Sequence, residues 1–112
     1  MLESYYENKL RLQVKALGHG ARCLKFVSPG FSGVPDRIIL LPGGHLIFVE
    51  MKKPGEKERK RQEYVHGVLR GLGFVVIPTV DSMERIELVI ERCKEVLRDE
   101  GFQTPYVPAV RH

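Results

Sequence analysis

The sequence predicts an α/β domain with a mixed central sheet flanked by helices, in the order α-β-β-β-α-β-α. Three observations support this. Apolar residues recur at helical spacing in three separate stretches. Short apolar runs bounded by glycine and proline lie between those stretches. A helical stretch also separates the middle strands from the last one, and parallel neighbours need such a crossover. The helices would then cover the faces of the sheet.

Each element has a local reason. Leu2, Tyr6, Leu10, Val14 and Leu17 mark the first helix, and Gly18-His19-Gly20 ends it, because glycine tolerates the dihedrals of a helix stop. Ala21–Val27 alternates as a strand does, and Ser28–Pro35 is a turn-rich loop. Asp36–Leu41 and His45–Glu50 read as a hairpin around Pro42-Gly43-Gly44. A polar, basic stretch follows, with Pro54-Gly55 marking a turn. The second helix is expected from near Glu56, with Tyr64, Val65, Val68, Leu69 and Leu72 on its apolar side and Gly71 and Gly73 at its end. Phe74–Val80 is a short apolar strand. Asp81 to Glu84 resembles a capping box, with Asp81 in place of serine or threonine. The third helix runs on to near Arg98, with Ile86, Val89, Ile90, Cys93, Val96 and Leu97 inward. Residues 1–100 form the domain, and 101–112 form a tail.

Composition bounds the rest. A chain of 112 residues that is 43% hydrophobic and 29% charged suits one ordinary globular domain. A net charge of +4 and a pI near 9.2 allow an anionic partner without requiring one. Cys23 and Cys93 have no CxxC spacing and no histidine pair nearby. This argues against a zinc site and for a reduced, intracellular setting, while leaving a Cys23–Cys93 bridge open. His19, His45, His66 and His112 show no ligand spacing, and structural roles are expected for them. There is no apolar signal core and no run long enough to span a bilayer, so a cytoplasmic location is expected.

The chemistry is concentrated in the hairpin. A three-residue turn centred on Gly43 places Asp36 directly opposite Glu50, with Cβ atoms about 4.5–5.5 Å apart on one face. Two carboxylates so placed repel, and a divalent cation between them removes the conflict. Lys52 follows two residues after Glu50 and alternates to the same face. Hard oxygen ligands of this kind suit magnesium or manganese. Such an ion lowers the pKa of bound water and stabilises charge on a phosphate. An isolated Asp-x13-Glu-x-Lys pattern also describes solvated strand ends. Here it sits in a hairpin, after Gly33-Val34-Pro35, and is followed by a basic stretch.

These residues resemble a known family. "GVPDRIILLPGGHLIFVEMKKPG" (Gly33–Gly55) is similar to the nuclease core of the PD-(D/E)xK superfamily. More narrowly, it resembles the virus-type replication-repair nuclease domain, VRR-NUC, in its stand-alone phage form. The resemblance runs from Glu3 to near Val80 and leaves the tail uncovered. It implies a restriction-endonuclease-like core and a metal-dependent endonuclease or resolvase acting on DNA. Pro35-Asp36 matches the PD, and Glu50-Met51-Lys52 matches the ExK. Asp36 and Glu50 would then ligate magnesium or manganese, with the backbone carbonyl of Met51 completing the protein ligands. Lys52 would orient or help deprotonate the attacking water and stabilise the phosphate. Met51 replaces a more usual leucine, which matters little if only its backbone oxygen serves.

The family also carries a glutamate on the first helix. Glu7, in "YENKL", matches it better than Glu3, and the bland alternative for each is a solvated acid favourable to the helix dipole. Gln62 matches a glutamine of the second helix that reaches toward the active site or the DNA backbone. Lys53, Lys57, Arg59, Lys60 and Arg61 cluster just beyond the ExK strand, where phosphate binding competes with a merely solvated face. Lys57 and Arg61 would share one helical face. Lys25 and Arg37 are candidates to extend the cluster, although Arg37 alternates away from Asp36. No base-reading element is evident, so backbone phosphates and DNA shape should carry binding.

Two function classes follow: a structure-selective DNA nuclease, and a catalytically silent DNA-binding module of a replication or repair assembly. The intact acid–acid–lysine set favours the first. A metal-binding structural subunit is a weaker third. Resemblance to phage resolvases of Holliday junctions implies a homodimer, since one small domain offers one active site. The first helix, the last helix and the tail with Phe102, Tyr106 and Val110 are candidate interfaces.

Overall fold

The hairpin forms in the register that its turn dictates. In the computed structural model, which describes residues 3–108 apart from the side chain of Glu3, β2 (Arg37–Leu41) and β3 (His45–Met51) pair antiparallel, from Arg37 opposite Val49 to Leu41 opposite His45. Gly43 and Gly44 take φ values of +85° and +77°, the left-handed region that glycine enters without a Cβ clash. Extending the register by one pair sets Asp36 opposite Glu50, as the turn length requires.

The remaining elements build around this pair. α1 (Glu3–Ala16) leads to β1 (Arg22–Lys25), which adds antiparallel to β2. After β3 the chain crosses through α2 (Lys60–Gly71) to β4 (Val75–Val80), parallel to β3. α3 (Met83–Asp99) closes the fold. The sheet is mixed, in the order β1-β2-β3-β4, and the element order matches the expected one.

Alternation along the strands divides the sheet into two unlike faces. Ile39, Leu41, Ile47, Val49 and Met51 point to one side. There they join Leu10, Val14 and Leu17 of α1 and Ile86, Val89, Ile90, Cys93 and Leu97 of α3 in one buried cluster. Phe48 points to the other side, with Phe26 and Phe74 at ring separations of 5.8 and 5.4 Å. α2 covers part of that side with Val65 and His66.

Several boundaries differ from expectation: β1 is shorter than Ala21–Val27, and two helix starts move. α2 begins at Lys60 rather than near Glu56, because the N–H of Arg59 is capped at 3.0 Å by the side-chain oxygen of Gln62. Lys57 therefore precedes the helix and shares no helical face with Arg61. The cap of α3 is Ser82, whose hydroxyl accepts from the N–H of Arg85 at 3.2 Å, so the cap lies one residue beyond Asp81 and is a single bond in place of the expected box. The first residues of the tail pack back on the domain: Phe102 lies against the core, and the rings of Phe102 and Tyr106 lie 4.8 and 4.6 Å from that of His19. Val110 and His112 lie outside the described residues. Cys23 and Cys93 are free thiols on the α1/α3 side, and burial pushes them up to about 11 and about 12.

Candidate active site

The Asp36–Glu50 pair is held by reciprocal bonds to the opposing backbone. The N–H of Asp36 donates to Glu50 Oε2 at 3.0 Å, and the N–H of Met51 donates to Asp36 Oδ1 at 2.9 Å. Each carboxylate thus satisfies a backbone donor that the strand ends would otherwise leave open. The backbone donor on Glu50 favours its ionised form. The balance still tips against Glu50. Burial raises its pKa to about 7, with the charge of Asp36 adding to the rise and Lys52 opposing it.

Lys52 follows on the same face and is only 3% exposed. A buried ammonium needs partners. Its Nζ donates to Gln62 Oε1 at 2.8 Å and lies 3.6 Å from Glu50 Oε1 and 3.5 Å from Glu56 Oε1. Gln62 closes the circuit, because its amide nitrogen donates to Glu50 Oε1 at 2.9 Å. One glutamine therefore orients the lysine, holds the glutamate and caps its own helix.

The strand beside this network is irregular. Val49 pairs with Ile77 and Met51 with Val80, so β4 spends one extra residue opposite Glu50. Pro78 lies in that interval and supplies no N–H. Thr79 takes φ +57°, a conformation that β-branched residues rarely adopt. The bulge ends where the N–H of Lys52 meets the carbonyl of Val80 at 2.9 Å. Bulges commonly re-aim side chains beside active sites, and this one falls at the strand position that carries Glu50.

Comparison with known proteins agrees with this fold. A solved structure of a "VRR_NUC domain" superposes with a TM-score of 0.69 and 29% identity, covering 80% of this chain and 94% of that one. A phage protein, "Putative nuclease p44" of Acyrthosiphon pisum secondary endosymbiont phage 1, is 46% identical over 82 residues, 73% of this chain and 85% of that protein. No family model matches. The chain belongs to the VRR-NUC nuclease family. No helix among the described residues is long and apolar enough to cross a membrane.

As a VRR-NUC domain, the chain places two hard oxygen donors, Asp36 and Glu50, side by side at one end of the sheet. Glu50 is a buried carboxylate next to a second one; burial is the main cause of its raised pKa, and the charge of Asp36 adds to it. A divalent cation fits that donor set. Among the described residues no three His, Cys, Asp or Glu side chains gather as a metal cluster.

The other expected residues separate into groups. Glu7 is turned to Arg37, with Oε1 2.6 Å from the guanidinium. That guanidinium also donates to the Asp36 carbonyl at 2.9 Å and lies 3.8 Å from Asp36 Oδ2. Arg37 thus bridges Glu7 and Asp36 around the sheet end and is nearly covered. The side chain of Glu3 lies outside the described residues. Lys25, Lys53, Lys57, Arg59 and Lys60 are exposed. Arg61 is committed to the protein, with Nε donating to the Ser32 carbonyl at 3.0 Å.

Sequence reasoning passed over Glu56 as a partner of Lys52, although the two stand four residues apart. It also passed over the pairing of Glu58 with the buried Nδ1 of His66. Burial lowers the His66 pKa against the opposing pull of Glu58. A histidine on the apolar side of a predicted helix, with an acid eight residues earlier, was the only signal for this pair.

Proposed function

We propose that the chain is a metal-dependent, structure-selective DNA endonuclease of the Holliday-junction resolvase type, hydrolysing phosphodiester bonds as a homodimer. One observation carries this reading: the circuit joining Asp36, Glu50, Lys52 and Gln62 at one end of the sheet. A magnesium or manganese ion held by Asp36, Glu50 and the Met51 carbonyl would supply Lewis acidity, lowering the pKa of bound water and offsetting phosphate charge. Lys52, fixed by Gln62, orients the water and balances charge that develops on the phosphate oxygens. Gln62 is a positioning residue, because it keeps the ammonium and the Glu50 carboxylate in one arrangement. Glu7 becomes available as a further acid, acting through water, once its ion pair with Arg37 opens. The exposed cations Lys25, Lys53, Lys57, Arg59 and Lys60 hold phosphates on either side.

Each chain carries one such site, and symmetric cutting of a four-way junction needs two. A second copy supplies it. The exposed faces of α1 and α3, with Leu12 and Leu88 outward, are surfaces for that pairing.

The test is a panel of end-labelled DNA substrates (single strand, duplex, flap, three-way and four-way junction) with magnesium, with manganese and with chelator. Branched substrates should be cut faster than duplex, only with metal, by a species of dimer mass. Absence of cleavage on every substrate with either metal would overturn the nuclease reading and leave a DNA-binding module.

A further inference from the structure

The loop that delivers Asp36 carries an exposed ring, and so does the helix turn that delivers Gln62. Phe31 is 37% exposed and Tyr64 is 59% exposed. Arg61 lies against both, its guanidinium carbon 5.0 Å from the Phe31 ring centre and 5.4 Å from that of Tyr64. The arginine is pinned, not free. Its Nε donates to the Ser32 carbonyl, and a Cβ at Gly33 would come within 2.8 Å of its Cγ. With φ at +87°, Gly33 lets the loop lie flat along the arginine stem. Loop and helix are thereby clasped, with two partly exposed rings and a planar cation left at the surface.

Single exposed apolar side chains need no explanation. This group differs in three respects. Its rings are ordered by a fixed guanidinium. It adjoins Gln62, which touches both Glu50 and Lys52. Lys57, Arg59 and Lys60 are exposed beside it. Flat π-surfaces flanked by cations are what single-stranded nucleic acid binds: bases stack on the rings while the cations follow the backbone.

We propose that Phe31, Arg61 and Tyr64 form a stacking platform for an unpaired or branch-terminal base of the DNA. The inference rests on the nuclease reading and names the substrate feature that this site selects. Bases inside a continuous duplex are already stacked on both sides, so the platform has nothing to take from it. A branch, gap or end exposes one base face. Because every base has such a face, the platform selects DNA structure and ignores sequence.

The experiment places 2-aminopurine either at the branch of a junction or inside a continuous duplex, and titrates the full chain without divalent metal. Wild type should quench the branch probe far more than the duplex probe. Tyr64→Leu should weaken junction binding roughly tenfold more than duplex binding, since one base–aromatic stack contributes on the order of that factor. Tyr64→Phe should restore both the quench and the affinity, and Phe31→Leu should act in the same direction as Tyr64→Leu. Equal loss on both DNAs, an unaltered quench in Tyr64→Leu, or a change of oligomeric mass in place of DNA affinity would overturn the platform. Metal-dependent cleavage by wild type is measured alongside. If wild type cuts and the variants bind like wild type, the platform alone fails. If wild type binds and quenches but never cuts, the nuclease reading alone fails.

Discussion

The two faces of the sheet are built for different purposes. The face under α1 and α3 is filled by aliphatic side chains at near-zero exposure, with two protonated thiols as its most polar members. The face under α2 holds Glu50, Lys52 and His66, all three of the buried polar side chains among the described residues. α2 makes this possible through Gln62, which bonds to two of them. The difference teaches that one face stabilises the fold while the other holds charges that the fold alone would not favour. Substitutions on the two faces should therefore move different observables.

The largest effect expected is on chemistry. Lys52→Ala should slow cleavage by roughly 100- to 1000-fold, the usual cost of losing a group that stabilises transition-state charge. DNA affinity should change little, because the side chain is buried. Removing the cation relieves a buried ammonium but leaves the Glu50 carboxylate without the charge that offsets its burial, so the melting temperature should fall modestly, more above about pH 7 than below. Single-turnover kinetics and a melting curve on the same preparation check this. Near-normal turnover would remove Lys52 from the mechanism.

Across the sheet, Ile86→Ala should do the reverse. Deleting a fully buried isoleucine costs about 2–5 kcal/mol, through lost burial and the cavity left behind. Denaturant unfolding should show that loss, while the cleavage rate of the folded fraction stays near wild type. A rate loss matching that of Lys52→Ala would show that the faces are coupled and the division drawn above is wrong.

Much of this contrast was legible in the chain. Hairpin register follows from turn length and from period-2 alternation, so Asp36 opposite Glu50 could be placed before any coordinates. The apolar stripe of α3 was legible for the same reason. What was not legible depends on long-range partners. The start of α2 is set by Gln62 capping Arg59 while it reaches Lys52, and no local pattern in "EKERKRQ" contains that fact. Arg37 reads as a free cation beside Asp36, yet Glu7, thirty residues earlier, claims it. Thr79 reads as an ordinary strand residue, and its positive φ arises only where β4 bulges against β3. Local periodicity specifies elements, whereas the polar face is specified by side chains that meet across the fold.

The charged face should also reveal itself through pH. The folded-state pKa of Glu50 is about 7, above its ordinary value of 4.5. The folded protein therefore holds an extra proton between those values. Metal-free stability from this group is full below pH 4.5 and declines as pH rises toward 7. His66 works in the opposite sense, because its lowered pKa makes the folded state gain as pH rises through the ordinary histidine range. The difference between wild type and Glu50→Gln isolates the first effect. With chelator, the variant should gain on wild type by a few degrees as pH rises from about 5 to 8. With manganese, wild type should recover at the alkaline end, since a cation binds the ionised carboxylate, and the variant should not. If both proteins gain equally from manganese, the ion is bound elsewhere.

The smallest effect concerns the cations around the polar face, and it separates residues that look alike in sequence. Lys57 and Lys60 are exposed, and among the described residues no side-chain hydrogen bond or ion pair ties them to the fold. If they contact phosphates, each alanine substitution should weaken binding to all duplex sequences alike, and should reduce the slope of log K against log salt by about 0.9. Cleavage at saturating DNA should change less than cleavage at low DNA, because Asp36, Glu50 and Lys52 are untouched. Arg61 carries the same charge but belongs to the clasp over Gly33 and Ser32. Arg61→Ala should leave the salt slope nearly unchanged and instead expose the 28–35 loop to proteolysis. Fluorescence anisotropy at four salt concentrations, paired with limited digestion, distinguishes the two behaviours. A slope reduced by Arg61→Ala but not by Lys57→Ala would mean that the guanidinium leaves its clasp to meet a phosphate. The phosphate path would then run over the loop that delivers Asp36, in place of the segment that follows β3.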